Sequence, residues 1–244
     1  MVRRLLLSAL LLGIAAPGLT AQDGPPADRI YIATFNIAYS DIPAWMESYN
    51  TNVVPILDAM VGEGVLNGYN IWMHHTGGEY TMRQGFIGHA DTDYEAFWED
   101  YLARYEAAHP ADFAAGNAMI RAHEDEIFNM AVVSVTAAEG QPRYLYEAKF
   151  QVPFGELEEW DSIWEEHFVP VAEQMQAEGK VRGFVIQTHN TGSKYNWKFS
   201  WLFDEWDHFD EVEAALFSAL PLDHKVFGMF YAHRDELWQV PPGN

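Results

Sequence analysis

Residues 29–37 and 144–152 alternate apolar and polar side chains with a period of two, the pattern of a half-buried strand. From Asp41 to about Met60, apolar residues recur at helical spacing (Ile42, Trp45, Tyr49, Val53, Ile56, Met60), and Glu156 to about Ala177 behaves in the same way. Pro55 and Pro170 fall at matching points of these two segments, where a proline is predicted to kink a helix. Second strands are predicted at Leu66–His75 and Val181–Asn190, and third strands at Glu79–Gly88 and Lys194–Phe203. Gly77-Gly78 and Gly192-Ser193 lie between them as two-residue hairpin turns. Thr92-Asp93-Tyr94-Glu95 has the form of a capping box opening a second helix, and Asp207 takes that part later in the chain. Closing strands are expected at Ile127–Val135 and Val226–His233, where Phe128-Asn129-Met130 echoes Phe227-Gly228-Met229.

The two series are one series written twice. Displacing the chain by 115 positions aligns residues 31–88 with 146–203 without a gap, and 15 of the 58 pairs are identical. Among them are Tyr31/Tyr146, Phe35/Phe150, Trp45/Trp160, Pro55/Pro170, His74/His189, Gly77/Gly192 and Tyr80/Tyr195. At the closing strands the spacing drops to 99, which predicts about 16 extra residues in the first copy, read as a helical insertion over about 107–126. The order β-α-β-β-α-β, repeated, predicts an α+β protein of two tandem ferredoxin-like repeats packed as a pseudo-dimeric α+β barrel. One such unit covers only one face of its sheet with helices, and the second copy supplies cover for the other. The chain divides accordingly into 1–21, 22–28 as a disordered lead-in, a first repeat at 29–136, a linker at 137–142 and a second repeat at 143–240.

This order of elements, duplicated in one chain, resembles the dimeric α+β barrel superfamily, which includes the NIPSNAP group, antibiotic-biosynthesis-type monooxygenases, chlorite dismutases and dye-decolorising peroxidases. The resemblance implies a pocket between helices and sheet that holds a flat aromatic substrate. Trp45, Trp160, Tyr80, Tyr195, His75 and Asn190 would line the two pockets here. It also implies oxidation without a cofactor as the reaction class, with His and Tyr moving protons. The haem-binding members imply an alternative, with an axial histidine for which His167 and His75 are candidates. A third reading is a non-catalytic interaction module whose interior is packed shut.

Strand alternation sorts the remaining polar residues. The face opposite the helices carries Trp72, His74, Thr81 and Arg83 in the first repeat, and His189, Asn196, Lys198 and Lys149 in the second. If that face looks at the other sheet, Arg83, Lys198 and Lys149 gather cations around a seat for an anionic or polar small molecule. His74, His189, Tyr80 and Tyr195 are the candidate catalytic residues. Arg121-Ala122-His123-Glu124-Asp125-Glu126 falls in the insertion and is read as a lid or a solvated helix end, and His233-Arg234 has no counterpart in the first copy. No His-Glu-x-x-His, Gly-x-Ser-x-Gly or phosphate loop occurs, so no metal ligand set is expected.

Composition changes the picture in three places. Met1–Ala21 has a basic start, an apolar core and a small-residue exit, the form of a secretory signal peptide, so a periplasmic or secreted protein is expected. The absence of cysteine excludes disulfides and thiolate metal sites. A net charge of −22 disfavours nucleic acid and anionic lipid as partners. The expected partner is a small-molecule ligand, on a monomer or a weak homo-oligomer.

Overall fold

A computed structural model describes residues 28–136 and 140–242. The expected signal peptide, most of the lead-in and part of the linker lie outside the described residues. Eight antiparallel strands close into one barrel in the order β1-β3-β2-β8-β5-β7-β6-β4. They are β1 Arg29–Ile37, β2 Gly68–Thr76, β3 Met82–Gly88, β4 Ile120–Val135, β5 Tyr144–Gln151, β6 Gly183–Thr191, β7 Trp197–Phe203 and β8 Ala232–Gln239. Each repeat keeps the ferredoxin-like strand order, β4-β1-β3-β2 and β8-β5-β7-β6. The halves are joined by β2 on β8 and β6 on β4.

Helices α1 Ile42–Ser48, α2 Val54–Gly62, α3 Tyr94–Ala108 and α4 Pro110–Met119 accompany the first half, and α5 Leu157–Ile163, α6 Val169–Ala177 and α7 Asp207–Phe217 the second. Between α1 and α2 the chain makes a π-helical turn at Tyr49–Val53, and between α5 and α6 another at Trp164–Phe168. Pro55 and Pro170 lie in the first helical turn after each. A proline has no N–H to donate, and the wider turn accommodates the lost bond. Asp93, not Thr92, caps α3, its Oδ1 accepting from the Glu95 and Ala96 N–H groups at 3.1 Å each. Asp207 is the first residue of α7 rather than its cap.

Two apolar clusters form where the helices meet the outside of the barrel. One contains Ala33, Trp45, Tyr49, Leu57, Ile71 and Phe86, the other Tyr146, Trp160, Trp164, Phe184, Trp197 and Phe199. Strand alternation predicts these faces correctly. Two residues assigned to the helix side behave otherwise. Tyr80 packs with Trp72, Leu145 and Trp238. His75 leaves its own repeat to stack on Trp206, with ring centroids 5.0 Å apart.

The closing strands differ from expectation. Residues 120–126 extend β4 instead of forming a helix, because β1 over its whole length needs a partner for its backbone groups, from Arg29 against Asn129 to Ile37 against Ile120. The inserted helix is confined to α4. In the second repeat the last strand is β8, and Phe227-Gly228 belongs to a short 3-10 turn, Lys225–Gly228. The apolar side chains read there as a strand instead pack beneath the helices of their own repeat. In the paired registers Tyr31 faces Ile127 and Tyr146 faces Leu237, so the closing strands repeat at a spacing of 110, not 99.

Candidate functional site

The barrel interior is where the sequence places an anion seat, and it is closed by ion pairs. Arg83 Nη2 lies 2.8 Å from Glu147 Oε1, Lys149 Nζ 2.6 Å from Glu236 Oε2, and Lys198 Nζ 2.6 Å from Glu126 Oε2. All six residues are buried. Burial by itself raises the Glu126 carboxyl, but Lys198 and Lys149 prevail and hold it at about 2. Burial likewise opposes ionisation of Glu147, and Arg83 and Lys149 pull it below the usual carboxylate range. Trp72 fills the same interior, its Nε1 donating to Asn70 at 2.9 Å. The expected cations are together, but each meets a carboxylate. Glu126 and Glu236 come from residues that the sequence reading placed in a helix and beyond the last strand.

The candidate catalytic residues from the hairpin tips are spread along the barrel rims. His74 Nδ1 lies 3.0 Å from the Tyr39 hydroxyl, and its Nε2 meets the Gly77 carbonyl. His189 sets its ring edge against Phe128, and Asn190 donates to Asn129 Oδ1 at 3.2 Å. Tyr195 is buried under the Lys194 ammonium, 5.0 Å above its ring. His75 is pulled down by burial and by neighbouring His74. None of these side chains meets another in a shared site.

Two aromatic-walled cavities lie on the outside of the barrel, beneath the helices, one in each repeat. The first, of about 480 Å³, is bounded by Trp45, Tyr49 and Val53 from the first helical segment, Trp98, Tyr101 and Tyr105 from α3, and Phe113 from α4. From the sheet it receives Tyr31, Phe35, Gln84, His123 and Asp125. The second, of about 200 Å³, has the corresponding position in the other repeat. Its size follows from substitution at paired positions: Tyr49 becomes Trp164, Val53 becomes Phe168 and Gln84 becomes Phe199. Trp45 and Trp160 each stand on the wall of their own cavity.

The same three polar residues recur beside each cavity, although only the first cavity has its Asp on the wall. In the first, Asp125 stands beside Tyr31 and its charge helps raise the hydroxyl, and His123 Nε2 lies 3.3 Å from Asp125 Oδ2. In the second, Tyr146 donates to Asp235 Oδ1, and His233 Nε2 is 2.9 Å from the same oxygen. The strands place them so: Tyr31 and Tyr146 come from β1 and β5, and the His and Asp are two apart on one face of β4 or β8. Burial raises the Asp125 carboxyl, with His123 and Tyr31 opposing. Burial also raises the Tyr31 hydroxyl, and Asp125 adds to it. His123 is 60% exposed, so this chain of groups leads from the cavity to water. The sequence held a signal for it: Ala122-His-Glu-Asp-Glu126 and Ala232-His-Arg-Asp-Glu236 match at a spacing of 110. A displacement held at 99 hides that match.

The wall of the first cavity also bears neutral polar groups. Gln84 is 3% exposed, the Ser48 and Tyr105 hydroxyls lie 3.0 Å apart, and the buried Tyr49 hydroxyl has no partner among the described residues. The donor set for haem is poor. His167 and His75 line neither cavity, and His123 and His233 turn the ring nitrogen remote from the backbone to a carboxylate. Only the nitrogen beside Cβ is left to meet an iron.

No family model matches the chain, and no curated protein matches it. Solved structures do. A provisionally assigned monooxygenase from Lactobacillus acidophilus superimposes with a TM-score of 0.56 at 11% identity, covering 87% of this chain and 93% of that one. An anthrone oxidase-like protein gives 0.55 at 10% identity, over 92% and 94%. Chlorite dismutase from Candidatus Nitrospira defluvii, in complex with imidazole, gives 0.57 at 8%, over 91% and 94%. These likenesses extend over nearly the whole of both partners and concern the fold. Two ferredoxin-like repeats of one polypeptide close into an eight-stranded α+β barrel, and these structures share that fold.

Proposed function

We propose that the first cavity binds a flat, polar aromatic molecule and that the protein oxidises it with dioxygen and no resident cofactor. The observation that carries this reading is the Tyr31–Asp125–His123 chain on the wall of an aromatic cavity of about 480 Å³. Aromatic walls supply the flat surface, and Gln84 and the unpartnered Tyr49 hydroxyl supply hydrogen bonds to oxygen substituents. The His123–Asp125 pair is placed to accept a proton from an activated methylene, and His123 passes it to water. The resulting anion is electron-rich and is oxidised by dioxygen. The balance is one methylene plus one dioxygen to one ketone plus one water, so the substrate carbon is oxidised and both oxygen atoms are accounted for. The anthrone oxidase-like and monooxygenase neighbours share the fold on which this reading is built. The form of residues 1–21 adds export to it, which sequencing the mature N-terminus tests.

Anthrone is the probe. Oxygen uptake matched one to one by anthrone loss, above the protein-free rate, is expected, with a drop of roughly 10²-fold in His123→Asn. An absence of anthrone binding by calorimetry overturns the reading. The haem alternative is tested on the same sample. A Soret band formed with added hemin, and abolished by replacing His167 or His75, would favour it.

A further inference from the structure

We propose that the second cavity is a separate site for a small organic cation, a quaternary or protonated alkylammonium. Although it repeats the position of the first cavity, its chemistry differs. Phe150, Trp160, Trp164, Phe168, Trp201 and Phe230 stand on its wall, and Gln84, the neutral polar group of the first cavity, is replaced by Phe199. Ring faces carry negative quadrupole charge, and several of them around one small volume attract a cation that is poorly hydrated. A volume of about 200 Å³ is less than half that of the first cavity and suits a head of a few carbon atoms rather than a fused aromatic.

The second observation is charge. Glu213 from α7 lines the cavity and has no cationic partner among the described residues. Burial raises its carboxyl, and the charges of Asp235 and Asp210 raise it further, so Glu213 stands in a negative surrounding. His233 is the titratable base on the wall; it stacks on Phe150 with centroids 4.5 Å apart and is turned to Asp235. An aromatic enclosure with an uncompensated carboxylate on its wall favours a cation over a neutral molecule of equal shape. The carboxylate on the wall of the first cavity, Asp125, is by contrast paired with His123. The two repeats therefore keep one framework and divide two ligand classes between them.

Choline and its uncharged carbon analogue, 3,3-dimethylbutan-1-ol, have the same shape and separate charge recognition from apolar filling. Titration calorimetry on the whole mature chain is expected to show choline binding at least about tenfold more tightly than the analogue. Glu213→Gln is expected to remove most of that preference while leaving the analogue's affinity unchanged. Glu213 is partly exposed, so the variant folds, and Asp210→Asn serves as the second variant with the same expected direction. Equal affinities for the two probes, no choline binding, or a preference indifferent to both variants would overturn the assignment. Anthrone oxidation in the first cavity is expected to be unaffected by Glu213→Gln, so failure of one reading is distinguishable from failure of the other.

Discussion

Gly192, at the hairpin tip of the second repeat, rests on the backbone carbonyl of Asp125 in the first, so closely that a Cβ would overlap it. Gly77 does the same to Asp235 in the other direction. Both glycines have positive φ, +94° and +79°. Each hairpin tip thus buttresses the strand that carries the other repeat's Asp and His. The duplication joins the two repeats mechanically at these tips as well as closing the barrel.

Replacing Gly192 with Ala is therefore expected to act across the repeat boundary. The left-handed backbone alone costs about 1–2 kcal/mol for a residue with Cβ, and the overlap with Asp125 adds to it. Denaturant unfolding is expected to show the loss, and anthrone affinity is expected to fall in Gly192→Ala but not in Gly77→Ala. An equal effect of both variants on that affinity would contradict the cross-buttressing.

The difference in cavity volume reduces to a few residues. Writing the second repeat into the first, as Val53→Phe with Gln84→Phe, is expected to close the first cavity and abolish anthrone binding without touching Tyr31, Asp125 or His123. Adding apolar volume to an existing cavity spares the strain of overpacking a filled core. A retained melting temperature with lost binding is the expected pair of results.

The barrel interior makes a separate prediction. Lys198→Met leaves Glu126 buried without its partner and is expected to destabilise the fold by about 3–5 kcal/mol. The double variant Lys198→Met with Glu126→Leu is expected to recover most of that loss, because matched apolar residues replace a buried pair at little cost. A double-mutant cycle by urea unfolding measures both. Additive losses would show that the pair contributes no mutual stabilisation.

Acid stability follows from Glu126. Its carboxyl is held at about 2, below its unfolded value, so it contributes stability that is fully present above about pH 4.3 and is lost as pH falls toward 2. Glu147 is shifted in the same direction and adds to the loss. The unfolding free energy of the wild type is expected to fall steeply between about pH 4.3 and pH 2, and the double variant without the Glu126–Lys198 pair is expected to show a shallower fall. Parallel curves would assign the acid response to other groups.

Much of the fold is legible in the sequence because local rules and the repeat agree. Tyr31/Tyr146, Trp45/Trp160 and Gly77/Gly192 stand at one spacing, and the alternation in β1, β2 and β3 separates helix-facing from inward-facing residues except at the hairpin tip, where His75 stacks on Trp206. The closing strands were harder to read, for a specific reason. Val226-Phe227 and Met229-Phe230 have strand-like composition, yet they cover a cavity beneath the helices. The polar run His123–Glu126 looks solvated, yet Glu126 faces a lysine across the barrel. Periodicity cannot show a buried carboxylate whose partner is 72 positions away.

By itself the sequence determined the duplication, the order of elements, the gathering of Arg83, Lys149 and Lys198 on one face, and the turn of Trp45 and Trp160 toward the sheet. These depend on side-chain period and on residues near one another in the chain. Only the tertiary structure decided where β4 and β8 begin, that the inward cations are neutralised by Glu147, Glu236 and Glu126, and that Tyr, Asp and His meet outside the barrel. Each of those depends on which strands become neighbours when the sheet closes. Closure is driven by the whole set of backbone hydrogen bonds and buried faces, and no single segment carries it.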